Sequence, residues 1–131
     1  MAYSLEIVTP ERSAYSGQVH SLRAPGVEGS FGVLLRHAPM VAALRSGAIE
    51  FQEESGERRK LATSGGFVEV SPEGTTVLVE TAEFGEQIDR ARAHAARDRA
   101  LQRLQQDEDV DRARAQVALG RALARLQVAG D

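Results

Sequence analysis

The chain has 131 residues, 42% of them hydrophobic and 27% charged, with a formal net charge of -3. This composition fits one globular domain with a possible appendage and excludes a collagenous or disordered chain. The absence of cysteine removes disulfide frameworks, thiolate metal sites and cysteine nucleophiles together, so a reducing compartment is expected. The opening Met1-Ala2-Tyr3-Ser4-Leu5-Glu6 has no basic region ahead of an apolar stretch, and no signal peptide is expected. No run of about 18 apolar residues predicts a membrane span. The acidic balance argues against general nucleic-acid binding, which needs a concentrated basic face.

Leu5 and Ile7 begin a period-two alternation, the pattern of a strand with one face on a core and the other in water. The glycine-rich Gly26-Val27-Glu28-Gly29-Ser30-Phe31-Gly32 reads as an ordinary turn between strands. A phosphate loop needs a lysine and a hydroxyl residue after its last glycine, but Val33-Leu34 follow and the only lysine, Lys60, lies elsewhere. Alternation returns at Ala48 to Gln52, Gly66 to Val70 and Thr76 to Glu80, with turn chemistry at Ser55-Gly56 and Pro72-Glu73-Gly74. Many short strands joined by such turns predict a β-sandwich or barrel.

Composition breaks near residue 85. All four prolines and ten of the twelve glycines precede the break, and the remaining 46 residues hold eleven alanines and nine arginines. Residues 1 to 85 carry 7 basic and 11 acidic side chains, whereas residues 86 to 131 carry 9 and 8. The second part predicts two helices at roughly 87 to 105 and 110 to 127, separated by Asp107-Glu108-Asp109-Val110-Asp111, with Asp109 as N-cap. So short a connection folds them into an antiparallel hairpin. The expected apolar stripe is Ile88, Ala91, Ala95, Leu101 and Leu104 on one helix, and Val110, Ala113, Val117, Leu123 and Leu126 on the other. It is thin, so docking should be weak. The fold class is therefore α+β, an N-terminal antiparallel β-sandwich over residues 1 to 85 followed by a two-helix hairpin over residues 86 to 131.

Catalytic chemistry is missing. His20, His37 and His94 are far apart and in no ligand spacing, leaving metal binding or a Ser-His-Asp triad without support. His37, beside Ala38-Pro39, reads as a hydrogen-bonded loop residue or a partner contact. The hairpin geometry gives other residues a use. A turn centred near residue 108 sets Arg92 level with Arg125; Arg121 lies one turn before Arg125, and Asp89 three residues before Arg92 on its face. Converging guanidinium groups repel one another, and a triphosphate would relieve the repulsion because their planar forks match phosphate oxygens. The alternative is that these arginines decorate solvated helix faces, with Asp89 paired to Arg92 in an exposed bond.

Taken in order, Gly26-Val27-Glu28-Gly29-Ser30-Phe31-Gly32-Val33-Leu34, His37-Ala38-Pro39 and Gly65-Gly66-Phe67-Val68-Glu69-Val70 resemble the epsilon subunits of bacterial F-type ATP synthases. Val8-Thr9-Pro10-Glu11 and Ile88-Asp89-Arg90-Ala91-Arg92-Ala93 extend the likeness nearly end to end. The resemblance implies a non-catalytic subunit of the central stalk, coupling proton transport to ATP synthesis. It also implies peripheral attachment at the cytoplasmic face of the bacterial plasma membrane through the complex. It implies that the sandwich binds the gamma subunit and the c-ring around Glu28, Phe31 and His37, although Phe31 could equally be core. No cofactor is required, and ATP is expected as a regulatory ligand on the folded hairpin, with Glu83 and Asp89 near base and ribose and Arg92, Arg121 and Arg125 near the phosphates. Gly120 loosens the second helix beside that site by about 1 kcal/mol relative to alanine. Extended, the hairpin would inhibit hydrolysis by gripping the alpha/beta catalytic head through Arg97, Arg99, Arg103, Arg112 and Arg114, which a solvated helix face explains nearly as well. The competing reading is a free-standing ATP-sensing module.

Overall fold

The computed structural model describes residues 2–106 and 112–130. The expected cap Asp109 and stripe residue Val110 lie outside the described residues. Nine strands precede two helices: β1 (Tyr3–Val8), β2 (Ser13–Gly26), β3 (Gly29–Leu34), β4 (Met40–Leu44), β5 (Gly47–Glu53), β6 (Arg58–Thr63), β7 (Gly66–Ser71), β8 (Gly74–Val79), β9 (Ala82–Phe84), then α1 (Arg90–Gln106) and α2 (Arg112–Ala129). This is a β-sandwich carrying a helical pair. The alternating runs read from sequence become β1, β5, β7 and β8, whose inward residues Leu5, Ile7, Ile49, Phe51, Val68 and Val77 are all buried.

The sequence reading did not find β2, for a visible reason. Its N-terminal half pairs with β1 and its C-terminal half with β3 and β5, so one strand serves both layers. The register shifts between Val19 and Ser21, and the buried positions change from Val19 to Leu22 and Ala24. An extra residue there bends the strand and reverses which face is inward, erasing a clean period of two. The glycine-rich stretch is a turn only at Val27-Glu28: Gly26 pairs with Gly29, and the rest is β3. At Gly66 an added Cβ would lie 1.9 Å from the Leu78 carbonyl oxygen, so β7 and β8 approach there in a way no side chain permits. Tyr3 donates its hydroxyl hydrogen to the Val33 carbonyl at 2.6 Å, linking β1 to β3 within the core, and burial pushes its pKa well above the usual tyrosine value.

The tail departs from the expected stripe. Ala91, Ala95, Leu101, Ala113, Val117 and Leu123 are exposed, and among the described residues of the expected α2 stripe only Leu126 is buried. Burial falls instead on Ala93 and Ala100 of α1 and on Ala115, Ala122 and Ala129 of α2, each set recurring every seven residues. Alanines at heptad spacing let two antiparallel backbones approach closely and maintain contact along their length. Apart from Leu126, the buried positions of the hairpin, Ala124 among them, carry the smallest apolar side chain, whereas hydropathy favours the larger leucines and valines that are exposed. The hairpin sits on the sandwich through α2, which packs against β5, β6 and β9. Ala62 points away from the core residues Leu61 and Thr63 yet is 3% exposed, because it pairs with Ala48 on the outer face that α2 covers.

Candidate functional site

The chain passes from β9 to α1 through a 3-10 turn at Gly85–Gln87, so α1 starts at Arg90 rather than near residue 87. The Phe84 N–H donates to the Gln87 side-chain carbonyl at 2.8 Å. The Arg59 guanidinium stands 4.1 Å from the centre of the Phe84 ring and pairs with Glu53 at 3.4 Å and Glu86 at 3.8 Å. These contacts fix β9 and the turn against β6. Asp89 then caps α1: its backbone carbonyl accepts the Ala93 N–H and its Oδ1 accepts the Arg92 N–H, both at 3.0 Å. The Asp89 contact to Arg92 is thus with the backbone N–H. At the other end of the pair, Arg90 donates to the Ala129 carbonyl, satisfying a terminal acceptor of α2 from the first turn of α1.

These elements enclose a cleft of about 370 Å3 lined by Glu83, Gln87, Asp89, Arg92, Arg99 and Arg125, with Ala93 and Ala96 as its apolar wall. Arg125 Nε donates to Glu83 Oε1 at 2.6 Å across the boundary between hairpin and sandwich, with both side chains about one-third exposed. Four of the five residues expected at a nucleotide site, Glu83, Asp89, Arg92 and Arg125, therefore share one cleft. Arg121 lies in an adjoining recess with Glu83 and Arg125, over Ala62, Thr63 and Ser64. The sequence reading missed Gln87 and placed Arg99 on an inhibitory face. Arg99 lies seven residues after Arg92, two helical turns on, and that spacing was the signal available for it. Three guanidinium groups with two carboxylates form a mixed-charge cleft suited to an anion that also presents hydrogen-bond donors. Among the described residues no cluster of three or more histidine, aspartate or glutamate side chains could hold a metal ion.

The remaining expected residues scatter. Arg97 pairs with Asp98 at 3.1 Å, and Arg112 donates to the Leu104 carbonyl at 2.8 Å, joining the start of α2 to α1. Arg103 and Arg114 are exposed. Glu28 sits exposed at the β2–β3 turn, Phe31 is half-buried against the core, and the His37 Nδ1 is 2.7 Å from the Ala38 carbonyl beyond the far end of β3. Glu28 and His37 are therefore separated by the length of a six-residue strand, roughly 20 Å at about 3.3 Å per residue.

A second surface, apolar, runs across β1, β8, β7 and β4. Register aligns Val8, Leu78, Phe67 and Ala43 across β1, β8, β7 and β4 on the outer face. Phe67 is 54% exposed, Leu78 48% and the neighbouring Val41 68%. Aligned apolar side chains in water mark an interaction surface. Three consecutive apolar residues at Val77-Leu78-Val79 and an outward Phe67 carried the signal, since alternation should have put polar residues at 67 and 78.

A β-sandwich with a helical pair docked on one face through α2 is the class of fold this chain adopts. The model of the ATP synthase delta/epsilon chain β-sandwich domain matches residues 2–85, and that of the same chain's long α-helix domain matches residues 86–130. The chain belongs to the ATP synthase delta/epsilon family and is an epsilon-type subunit of the F-type central stalk. It is 48% identical over 103 residues to the ATP synthase epsilon chain of Syntrophomonas wolfei, covering 79% of this chain and 75% of that one. It is 52% identical over 102 residues to that of Nitratidesulfovibrio vulgaris, covering 78% and 75%. A chain in the Euglena gracilis mitochondrial ATP synthase, solved with OSCP, F1 and c-ring, superposes with a TM-score of 0.85 at 25% identity, covering 98% of this chain and 81% of that one. A chain of the Tetrahymena thermophila central stalk and c-ring shares the fold at a TM-score of 0.62 and 14% identity, with coverage of 98% and 97%. No helix among the described residues is long and apolar enough to cross a membrane.

Proposed function

We propose that this subunit couples proton transport to ATP synthesis as part of the rotor and restrains ATP hydrolysis through its tail, which binds ATP when folded. The observation that carries the tail's role is the cleft where Arg92, Arg99 and Arg125 meet Glu83 and Asp89 between the hairpin and β9. The arginines receive the phosphates, and the carboxylates accept from the base amine and ribose hydroxyls. Arg125 exchanges part of its bond to Glu83 for phosphate oxygen. Because the residues come from both α1 and α2 and from the sandwich, the ligand binds only the docked hairpin. At a hundred times Kd it adds about 2.7 kcal/mol to that state. A seam made of alanines buries little area, so such an increment decides between docked and released tails. Released, Arg97, Arg103, Arg112 and Arg114 come within reach of an acidic surface of the alpha/beta head, where Arg97 would exchange its bond to Asp98 and Arg112 its bond to the Leu104 carbonyl.

Attachment to the gamma subunit fits the apolar row of Val8, Leu78 and Phe67 with Val41, and because Glu28 and His37 stand at opposite ends of β3, the c-ring contact takes one end of that strand, the Glu28 turn or the His37 loop, rather than both. Membrane association is then peripheral, at the cytoplasmic face. Calorimetric titration of ATP into the full chain tests the ligand: Arg92→Ala or Arg125→Ala should weaken binding at least tenfold with the sandwich still folded. Unchanged affinity in both variants would exclude this cleft.

A further inference from the structure

We propose that the outer face of β2, β5 and β6, beside the docked hairpin, is a docking groove for an acidic, extended segment of a partner protein. It rests on residues outside both the tail cleft and the apolar row. Register sets Gly32, Arg23, Glu50 and Lys60 in one line across β3, β2, β5 and β6, with Arg58 two residues along β6 opposite Gln52. These side chains point away from the core, as their neighbours Leu22, Ile49, Phe51 and Leu61 are buried. They bound a groove of about 510 Å3. Four of the seven cations before residue 85 line it, Arg23, Arg58, Arg59 and Lys60, and Glu50 is its one carboxylate, in a chain whose net charge is -3. Arg59 is committed to Glu53, Glu86 and Phe84, and Lys60 to Glu50 at 3.4 Å. Arg23 and Arg58 have no ion-pair partner among the described residues, and both are exposed.

Three features select the occupant. Like charge gathered on a concave face attracts the opposite charge, which calls for carboxylate or phosphate. Glu50 lies in the middle of the cations, so the occupant must also offer hydrogen-bond donors; peptide N–H groups do, and a bare polyphosphate does not. Leu34, 63% exposed, forms part of the lining and calls for an apolar side chain. A polypeptide supplies all three. Spacing agrees: Arg23 and Arg58 lie two strands and about two residues apart, roughly 12 Å from Cα to Cα, and four residues of extended chain span about 13 Å. Gly32 presents no side chain on the row, leaving Arg23 open towards β3.

The test is titration of the isotope-labelled full chain with a capped pentapeptide carrying glutamate at both ends and leucine in the centre, followed by amide chemical shifts. Shifts should concentrate at Arg23, Gly32, Glu50 and Arg58, and binding should weaken several-fold when salt is raised from about 50 to about 300 mM. The neutral variant Arg23→Gln/Arg58→Gln should bind at least tenfold more weakly while keeping its remaining spectrum, whereas Phe67→Ser should not alter binding. Shifts confined to the tail cleft, or no loss in the double variant, would overturn the proposal. So would equal or tighter binding of inorganic triphosphate or a short RNA at the same amides, which would make the groove a polyanion site.

Discussion

Replacing Ala122 by leucine should release the tail and leave the sandwich folded. Ala122 is 0% exposed and stands in the middle of the seam, seven residues from both Ala115 and Ala129, on the helix that faces Ala93 and Ala100. Leucine adds three carbon atoms where no surface remains open, and overpacking of this kind costs about 1–3 kcal/mol. At about 1.4 kcal/mol per tenfold, the ratio of docked to released hairpin falls by about 5- to 150-fold. The core is untouched, because its cluster is drawn from β-strand residues alone. Hydrogen exchange read by mass spectrometry separates the two responses: amides of α1 and α2 should lose protection while those of β7 and β8 keep theirs. Val117→Leu, at a position 49% exposed, is the control and should leave the helices unchanged. Full protection of α1 in Ala122→Leu would refute the close-packed seam, and equal loss in the strands would show that hairpin and sandwich unfold as one unit.

Gly66→Ala should destabilise the sandwich by about 3 kcal/mol or more, seen as a lower denaturation midpoint, because the new methyl group meets the backbone of Leu78 and Val79, which no side-chain rotation can clear. Tyr3 titrates higher folded than unfolded, so its contribution is complete below about pH 10 and is lost as pH rises further, by up to about 1.36 kcal/mol per pH unit. Tyr3→Phe should cost about 0.5–1.5 kcal/mol at neutral pH and flatten the alkaline fall in stability; an unchanged slope in urea titrations at high pH would show that another group causes it. Phe67→Glu/Leu78→Glu should abolish co-purification with the gamma subunit while melting like the parent chain, since both side chains already face water. Deletion of residues 86 to 131 should leave assembly intact and raise hydrolysis by the complex; loss of assembly would mean that the tail, rather than the sandwich, holds the rotor.

The sequence alone determined the division at residue 85, because proline breaks helix interiors and glycine disfavours them, and an alanine-rich, proline-free stretch with a single interior glycine, Gly120, still favours helix over strand. It also determined the strands whose inward positions alternate without interruption, such as Leu5 and Ile7 or Val68 and Val70. Helical spacing at Ile88 to Ala93 placed Asp89 beside Arg92, and the antiparallel turn near residue 108 set Arg125 level with Arg92, since local geometry fixes which residues of one helix share a face and a short connection fixes how two helices pair. Tertiary structure decided the rest. β2 changes its inward face because it serves two layers, and a pattern of period two cannot express that. The alanine seam exists because a close partner helix rewards small side chains, whereas sequence patterning rewards large ones. Arg99 and Gln87 joined the cleft only when α1 packed on α2, which sits against β9, and Arg23, Glu50, Lys60 and Arg58 met only through the register of three strands. Contacts between distant segments depend on how strands pair, and pairing is fixed by the whole core rather than by any one stretch of chain.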